Sequence, residues 1–493
     1  MTIDVNHACD LVIFGTKGDL AKRKLLPALY KLEKYKKIHK NTRIIGAGRA
    51  NWNIKDYVKI VKTAIKTFLH ENINNDVWDK FQARLYFCNI DVHKKSDFLI
   101  LKKILNKTKN TIIYYCAVPP NIFNSIFIGL GKSNLNSVPA RIILEKPLGE
   151  CFKTFKKINN QISKYFLESQ IFRIDHYLGK ESILNLIALR FSNLFFLNNW
   201  NNKVIDHVQI TVSEEIGIEE RWNYFDKIGQ MRDMVQNHLL QILTIIAMKK
   251  PDHVTFDSIR NEKIKILRNL KPIDEKNINV NTVRGQYSSG TISGKLVPSY
   301  IQEQNANKDS VTETFVCIKI DILNTQWNGV PFYLRTGKRL TCKYSEIVIV
   351  FKNIPVHLFN HENYNLSENK LVIRLEPHES IKMYFSKKKP GLEHEYTLEN
   401  NQMICEYFQK STVKNPVESY ERLLLNSMKG TQSLFVCYEE AKAAWKWVDP
   451  IINAWKKNKS CILQLYESGT LGPKAADLMM TRDHRTWHNS IKK

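Results

Sequence analysis

The first 150 residues alternate short apolar runs with helical patterns, and this rhythm restricts the fold more than any other feature of the chain. The runs are rich in β-branched and aromatic residues; they are LVIFG (11–15), RIIGAG (43–48), RLYFCNIDV (84–92), TIIYYCAVPP (111–120) and RIILEKP (141–147). Helical patterns lie between most of them, as at 20–35 and 53–71. Strands that alternate with helices form βαβ units, so the sequence predicts a parallel sheet covered by helices. Pro27 is expected to bend the first helix because it lacks a backbone donor.

After about residue 175 the pattern changes to strands that follow one another. Segments of alternating polarity lie at 204–214, 314–322, 345–351, 370–376 and 381–388. Helices are predicted at 180–191, 231–248 and 431–446. The polar stretch 250–312 is expected to be a surface loop. The sequence therefore predicts an α/β domain over 1–175 and an α+β domain over 176–493, the latter with a large mixed, mostly antiparallel sheet.

Composition narrows the classes of function. A formal net charge of +26 raises the alternative of a nucleic-acid-binding protein. The excess of basic over acidic residues is spread from end to end in Lys-, Asn- and Ile-rich segments and is not concentrated in one stripe. No nucleic-acid partner is therefore expected. No apolar run approaches the roughly 18 residues that a membrane helix needs, and no secretory pattern opens the chain. Nine scattered cysteines without a CxxC pair argue against disulfides and zinc, so we expect a cytoplasmic protein without a metal site.

The segment DLVIFGTKGDLAKRKL, residues 10–25, predicts an anion cradle. Its pattern is a strand, a turn that contains Gly15 and Gly18, and a helix. Glycines let the backbone approach a ligand, and the helix start presents free N–H groups and a positive dipole end to a phosphate. The pattern GxxGD meets the GxGxxG dinucleotide motif only in part. A tight strand–helix connection without a ligand is therefore the alternative.

The next strand indicates which dinucleotide the cradle would hold. Chains that bind NAD usually carry an acidic residue at the end of this strand, for the ribose hydroxyl. Here Arg49 stands at that place. A guanidinium suits a 2′-phosphate through paired planar hydrogen bonds, so the sequence favours NADP over NAD. The alternative is a solvated surface charge.

Two further segments, RIDHYLGKE and RDMVQNH, combine residues suited to phosphate binding and to proton transfer. His176 and Lys180 share a face if both are helical, and Asp175 can orient an imidazole. In the second segment His238 can take a hydroxyl proton near neutral pH if a carboxylate steadies its other nitrogen. The alternatives are a solvent-facing helix entry capped by Asp175 and a hydrogen-bonded core histidine.

Together these segments resemble the glucose-6-phosphate dehydrogenase family. The matching motifs follow the family's order over effectively the whole chain; they are GTKGDLAKRKLLPAL, RIILEKPLG, FRIDHYLGKE, RDMVQNHLLQ, GVPFYLRTGKRL and YEEAKAAWKWVDPI. The resemblance implies a Rossmann-type first domain and a β+α second domain in a homodimer or homotetramer. It also implies NADP-linked oxidation of D-glucose 6-phosphate at C1 to 6-phosphoglucono-1,5-lactone, the entry of the pentose phosphate pathway.

The resemblance further implies roles for individual residues. His238 would be the general base and Asp175 its carboxylate partner, with no metal required because the cofactor accepts the electron pair. The sugar or its phosphate would contact His176, Tyr177, Lys180, Glu214, Asp233, Lys338 and Lys343, while Lys146 would lie between substrate and cofactor. The cofactor would be framed by Gly15, Gly18, Asp19, Leu20 and Arg49.

One position departs from the family, which usually has Ser or Thr where this chain has Lys17. We expect its ammonium to contact cofactor phosphate and to strengthen the preference for NADP; the alternative is an ammonium in solvent. Two competing functions stay open at this point. One is an NADP-linked dehydrogenase of another hexose, and the other is a nucleic-acid-binding protein that retains an inactive enzyme fold.

Overall fold

The chain, seen in a computed structural model, divides into two compact units. The structure describes residues 7–69, 71–253, 255–353, 368–391, 398–406, 417–458 and 461–489. Unit 1 comprises residues 1–181, 254–260 and 416–442, and unit 2 comprises residues 182–253, 261–415 and 443–493. The functional domain boundary predicted at 175/176 stays a prediction. In these ranges no helix is both long and apolar enough to cross a membrane.

The strands of the described residues are, in chain order, β1 (Cys9–Phe14), β2 (Arg43–Gly48), β3 (Leu85–Asn89), β4 (Thr111–Cys116), β5 (Arg141–Leu144), β6 (Ile171–Ile174), β7 (Ile205–Ser213), β8 (Thr282–Ser288), β9 (Gly290–Ile292), β10 (Lys295–Val297), β11 (Phe315–Ile320), β12 (Phe332–Gly337), β13 (Tyr344–Phe351), β14 (Lys370–Glu376), β15 (Ser380–Lys388), β16 (Leu398–Glu406), β17 (Phe435–Val436) and β18 (Gln464–Glu467). The α-helices are α1 (Leu26–Lys34), α2 (Ile54–Phe68), α3 (Asn75–Gln82), α4 (Lys95–Leu105), α5 (Pro120–Lys132), α6 (Phe152–Ile162), α7 (Glu181–Ser192), α8 (Leu194–Asn199), α9 (Trp222–Gln230), α10 (Leu240–Ala247), α11 (Phe256–Arg268), α12 (Ile278–Asn281), α13 (Ser419–Lys429), α14 (Tyr438–Lys457) and α15 (Lys474–Arg482).

Unit 1 is built on a sheet whose described strands run in the order β17-β6-β5-β4-β1-β2-β3. Strands β1 to β6 are parallel, and β17 pairs antiparallel with β6. The strand order reverses at β1, which lies between β2 and β4. Open parallel sheets bind ligands at the carboxyl ends of the strands beside such a reversal. The predicted α/β first domain is confirmed.

All residues of β1 are buried, as expected for a central strand of a parallel sheet with helices on both faces. On one face Val12 and Phe14 pack in a cluster with Phe98, Tyr114 and Phe127. These side chains come from the neighbouring strands β1 and β4 and from the helices α4 and α5. The apolar runs of the sequence therefore mark the core of unit 1.

The winding of the first helix changes next to Pro27. A π-helical segment over Ala21–Leu25 precedes α1, and Pro27 is the second residue of α1. Proline has no N–H to donate to the carbonyl four residues earlier, so one helical hydrogen bond is missing there, although α1 continues to Lys34. A π-helical turn before the proline is compatible with that missing bond.

One charged side chain interrupts the core of unit 1. Asp10, in β1, is fully buried and faces its register partner Arg43 in β2. Its carboxylate accepts hydrogen bonds from Arg43 Nε at 2.9 Å, Thr108 Oγ1 at 2.8 Å and Asn110 Nδ2 at 2.9 Å. The pair ties the two strands together at their amino ends.

Unit 2 is built on a second sheet, whose described strands run in the order β16-β15-β14-β13-β7-β12-β11-β8-β18. β7 pairs in parallel with β12, and β8 pairs in parallel with β18. The other neighbours are antiparallel. The predicted large mixed, mostly antiparallel sheet is confirmed.

Two element predictions in the second half were wrong. The stretch 250–312 is not a surface loop, because it contains α11, α12 and the strands β8 to β10. β8 is stabilised by pairing with β11 and with β18, a strand far away in the chain, so its own polar sequence gave little indication of a strand. The helix predicted at 431–446 instead follows the short strand β17 and occupies Tyr438–Lys457.

The buried pair in unit 1 yields a stability prediction. We expect Arg43→Met to lower the free energy of unfolding by about 3–5 kcal/mol, because the Asp10 carboxylate would stay buried without its cation. Arg23→Met is the matched control, since Arg23 and Asp19 form an exposed pair at 2.5 Å that contributes at most about 1 kcal/mol. Urea unfolding of both variants measures the difference. Equal losses in the two variants would contradict the prediction.

Candidate active site

The turn after β1 forms a cradle at the strand reversal of unit 1. Gly15 has φ +82°, and a Cβ there would lie 2.2 Å from the carbonyl oxygen of Ala117, which follows β4. Gly18 N–H donates to Gly15 C=O at 2.8 Å and closes the turn. The backbone conformation and the close approach both require glycine at position 15. A tight glycine turn that leads into a helix start fits a dinucleotide phosphate.

Charged and aromatic side chains surround this cradle. Lys17 is exposed, and its Nζ lies 5.2 Å from the centroid of the Trp52 ring. Trp52 in turn contacts Phe87, with ring centroids 5.3 Å apart. Arg49 directly follows β2 and is exposed. In the helix after the turn Asp19 pairs with Arg23, so its carboxylate is engaged on the protein surface.

The end of β5 places a buried acid next to Lys146. Glu145 Oε1 accepts hydrogen bonds from Tyr115 at 2.5 Å and from Tyr420 at 3.2 Å. Burial raises the pKa of the Glu145 carboxyl above its ordinary value, although both tyrosines and Lys146 act in the opposite direction. The following peptide bond, between Lys146 and Pro147, is cis.

The segment RIDHYLGKE forms a 3₁₀ turn over His176–Gly179 at the end of β6. Asp175 Oδ1 caps this turn by accepting from Tyr177 N–H at 3.0 Å. Lys180 has an extended backbone conformation, so the condition for a shared helical face with His176 is not met. The Lys180 Nζ instead lies 3.9 Å from the centroid of the Tyr177 ring.

Unit 1 brings several of the predicted residues to one edge of its sheet. β5 and β6 are parallel neighbours, so Lys146 and Asp175 both stand at the carboxyl ends of adjacent strands. Tyr420, in α13, connects the two places: it donates to Glu145, and its ring stacks with that of His176 at 6.4 Å.

Unit 2 carries the predicted base on an irregular helix. Asp233 and His238 lie in a π-helical segment over Met231–Leu239, and His238 is fully buried. The Asn237 side chain accepts from His238 N–H at 2.6 Å and donates to Arg232 C=O at 3.0 Å. π-helical turns inside helices are frequent at functional sites.

Three predicted substrate residues meet in unit 2. Lys338 Nζ lies 2.8 Å from Glu214 Oε2 and 3.5 Å from Asp233 Oδ2, with only 3% of its side chain exposed. Burial lowers the pKa of Lys338, but the two carboxylates outweigh it and raise that pKa above its ordinary value. Lys343 differs, because its side chain is 67% exposed and pairs with Glu376 at 3.4 Å.

Asp175 belongs to unit 1 and His238 to unit 2, and their predicted pairing stays a prediction. Among the described residues no group of three or more His, Cys, Asp and Glu side chains is arranged to hold a metal ion.

Sequence reasoning missed several residues of these clusters. Glu145 stood beside Lys146 in the EKP motif and could have been noticed there. Trp52 lies three residues after Arg49, and an aromatic residue shortly after this strand could have indicated a side chain beside the cradle. Gln230 also belongs to the unit 2 cluster, because its amide donates to Glu214 Oε2 at 3.3 Å. Tyr420 and Gln230 had no local signal, because their partners lie far away in the chain or in a separate element.

The parallel sheet and its glycine turn at the strand reversal are typical of dinucleotide-dependent oxidoreductases. Residues 12–185 match the family model of the glucose-6-phosphate dehydrogenase NAD binding domain, and residues 187–488 match that of the glucose-6-phosphate dehydrogenase C-terminal domain. The chain belongs to the glucose-6-phosphate dehydrogenase family.

Relatives agree with this membership over nearly the full length. The chain is 67% identical to the glucose-6-phosphate 1-dehydrogenase of Buchnera aphidicola subsp. Schizaphis graminum (strain Sg), with 99% of each chain covered. It is 52% identical to that of Dickeya dadantii (strain 3937), with 98% of each covered. A solved glucose-6-phosphate dehydrogenase in complex with its substrate glucose-6-phosphate superposes with a TM-score of 0.89 at 30% identity, covering 99% of this chain and 100% of that one.

The chain is therefore an oxidoreductase of the glucose-6-phosphate dehydrogenase type, and NADP is the coenzyme of its family. The family, the fold class, the enzyme class and the cofactor predicted from the sequence are confirmed.

The raised pKa of Glu145 has a consequence for stability. Glu145→Gln should raise the melting temperature by a few degrees at pH 8, because the folded wild-type chain must keep a buried carboxylate ionised there. This gain should shrink as the pH falls through the raised pKa of Glu145 toward its ordinary value of 4.5. Protonation of Glu145 then removes the free-energy cost of a buried charge from the wild type as well. Thermal unfolding between pH 5 and pH 8 is the measurement. The control is Glu467→Gln, at an exposed residue, and a gain independent of pH would contradict the prediction.

Proposed function

We propose that this chain oxidises D-glucose 6-phosphate at C1 with NADP⁺ to 6-phosphoglucono-1,5-lactone and NADPH, the entry step of the oxidative pentose phosphate pathway. The observation that carries the proposal is the buried Lys338 between Glu214 and Asp233, in the same unit as His238. A fixed cation between two carboxylates offers both donors and acceptors to the hydroxyls of a sugar. The solved relative that binds glucose-6-phosphate, similar over the full length, supports this substrate.

His238 is the proposed general base, which takes the proton of the C1 hydroxyl. An imidazole suits this task near neutral pH when a carboxylate holds its other nitrogen in the correct tautomer, and Asp175 is assigned that role. NADP⁺ would supply the hydride acceptor for C1, so the chain's own residues need only remove a proton and orient the sugar.

The dianionic 6-phosphate is assigned to His176, Tyr177 and Lys180, with Lys146 between substrate and cofactor. The Lys180 ammonium is buried against the Tyr177 ring, which fixes a positive charge at the carboxyl edge of the unit 1 sheet. Lys343 is the exposed member of the proposed set. Its exposed pair with Glu376 costs little to exchange for a substrate group.

The cofactor is assigned to the cradle of Gly15, Gly18, Asp19 and Leu20, with its 2′-phosphate near Arg49 and Lys17. Support comes from the forced glycine at position 15 and from Trp52, whose ring holds the Lys17 ammonium beside this edge. We also propose a cytoplasmic homodimer or homotetramer, in keeping with the scattered cysteines and the family.

The decisive experiment follows the absorbance of reduced nicotinamide with NADP⁺ and glucose 6-phosphate as substrates. Free glucose is the comparison that separates this function from another hexose dehydrogenase. Titration with duplex DNA at two salt concentrations tests the nucleic-acid alternative, because nonspecific binding collapses as salt rises.

For the base, His238→Asn should retain glucose 6-phosphate binding and lose about 10²–10⁴-fold in kcat, the usual effect of removing a general base. Substrate affinity is measured separately by calorimetry. His484→Asn serves as control, because His484 is exposed at φ +56°, a conformation that asparagine tolerates. Turnover of His238→Asn within tenfold of the parent would refute the base assignment.

For the cofactor, Arg49→Ala should lower the NADP-to-NAD ratio of kcat/KM by about tenfold or more, since a charge-assisted pair to phosphate is lost. Lys17→Ser should lower the same ratio by a smaller factor, because a single flexible ammonium forms a weaker contact than a guanidinium. Steady-state rates with both cofactors give the ratios. An unchanged ratio for Lys17→Ser rejects its role, and an unchanged ratio for Arg49→Ala rejects the 2′-phosphate assignment.

A further inference from the structure

Gln230 occupies the junction at which the helix of the proposed base begins. The residue before it, Gly229, has φ +70° and ψ 168°, so helical bonding is interrupted there and starts anew. Glu313 holds the new start: its carbonyl oxygen accepts from Gln230 N–H at 3.0 Å, and its Oε1 accepts from Met231 N–H at 3.1 Å. The backbone of Gln230 is therefore fixed from a segment outside the helix.

The Gln230 side chain connects this helix start to two strand ends. It is fully buried, and its Nε2 donates to Thr336 Oγ1 at 2.9 Å and to Glu214 Oε2 at 3.3 Å. Thr336 lies in β12, and Glu214 directly follows β7, the parallel neighbour of β12. The amide thus spans the point where both strands end.

The contact with Glu214 selects one of its two carboxylate oxygens. Oε2 accepts from Gln230 and from Lys338 Nζ at 2.8 Å. No residue that the structure describes forms a hydrogen bond with Glu214 Oε1, and the Glu214 side chain is 32% exposed. Two donors on one oxygen turn the carboxylate so that the other oxygen is directed to the accessible side. That oxygen can accept from a sugar hydroxyl.

We propose that Gln230 is a positioning residue for substrate: it sets the rotation of the Glu214 carboxylate and, through the shared oxygen, the position of Lys338. The proposal rests on the substrate role assigned to Glu214 above. Lys338 alone could hold Glu214 in more than one rotation, because a single ammonium contact does not define the plane of a carboxylate. The second donor restricts that rotation.

Gln230→Met tests the proposal, since methionine keeps the length and volume of the side chain without the amide donor. We expect KM for glucose 6-phosphate to rise about tenfold, the usual effect of losing a hydrogen bond to a charged group. The KM for NADP should change less than about twofold, because the cofactor is assigned to unit 1. Gln209→Met is the control, as the amide of this buried glutamine donates to Thr486 C=O at 2.9 Å in the same unit. That variant should lose stability and keep both KM values.

A double mutant separates this inference from the proposed function. If Gln230 acts through Glu214, then Gln230→Met should raise KM less than about twofold further in a Glu214→Gln background. Glu214→Gln with an unchanged KM would overturn the substrate role of Glu214 and this inference with it. Two other results would overturn only the inference. In both, Glu214→Gln raises KM; in the first Gln230→Met has no effect on KM, and in the second the effects of the two substitutions are fully additive.

Gln230→Glu keeps the proposal testable if the methionine variant fails to fold. Two neighbouring carboxylates repel each other unless one is protonated, and the protonated carboxyl that this substitution introduces can donate to Glu214 as the amide does. We therefore expect a raised KM at pH 8 that returns toward the wild-type value as the pH approaches 6. A variant whose KM follows the wild-type pH profile would contradict the positioning role.

Discussion

The ammonium of Lys338, buried between Glu214 and Asp233, is the interaction on which the arrangement of unit 2 depends. A buried cation costs several kcal/mol unless carboxylates compensate its charge. One carboxylate follows β7, the other lies in the π-helical segment, and the lysine follows β12. The three charged groups therefore meet only if β7 pairs in parallel with β12 and the π-helical segment begins at its observed position.

Hydrogen bonds also fix the backbone around Lys338. Lys338 N–H donates to Thr314 C=O at 2.9 Å, and the Tyr466 hydroxyl donates to Lys338 C=O at 2.7 Å. Both main-chain groups of the lysine are therefore held while its side chain is neutralised. Fixing these groups favours one arrangement of the region, since an unpartnered buried polar group is costly. The same network keeps His238 on a helix whose start is defined.

Unit 1 depends on a geometric constraint instead. The carboxyl ends of β1, β4, β5 and β6 lie at one edge of the sheet. The glycine turn, Lys146 and Asp175 each follow one of these strands, so parallel strand pairing alone places them at that edge. The buried Glu145 carboxyl is unfavourable for stability at neutral pH. Functional sites commonly keep such groups, and the apolar core beneath the sheet offsets their cost.

Much of this organisation could be predicted from local patterns. β2 and β14 occupy the residues expected, because β-branched runs with turn residues at both ends have few other stable conformations. The prediction failed at β8, where pairing with two distant strands outweighs a polar sequence. After Asp175 the condition for a shared helical face of His176 and Lys180 was not met, because a capped 3₁₀ turn precedes α7.

The sequence by itself determined the parallel sheet, the glycine turn after β1 and the family, because these depend on periodicity and on residues that are close together in the chain. Only the tertiary structure decided that Tyr420 contacts Glu145, that Gln230 contacts Glu214, and that Lys338 is enclosed by two acids. These contacts join segments more than a hundred residues apart or separate elements of one unit. Their geometry follows from strand order and register, which no local pattern encodes.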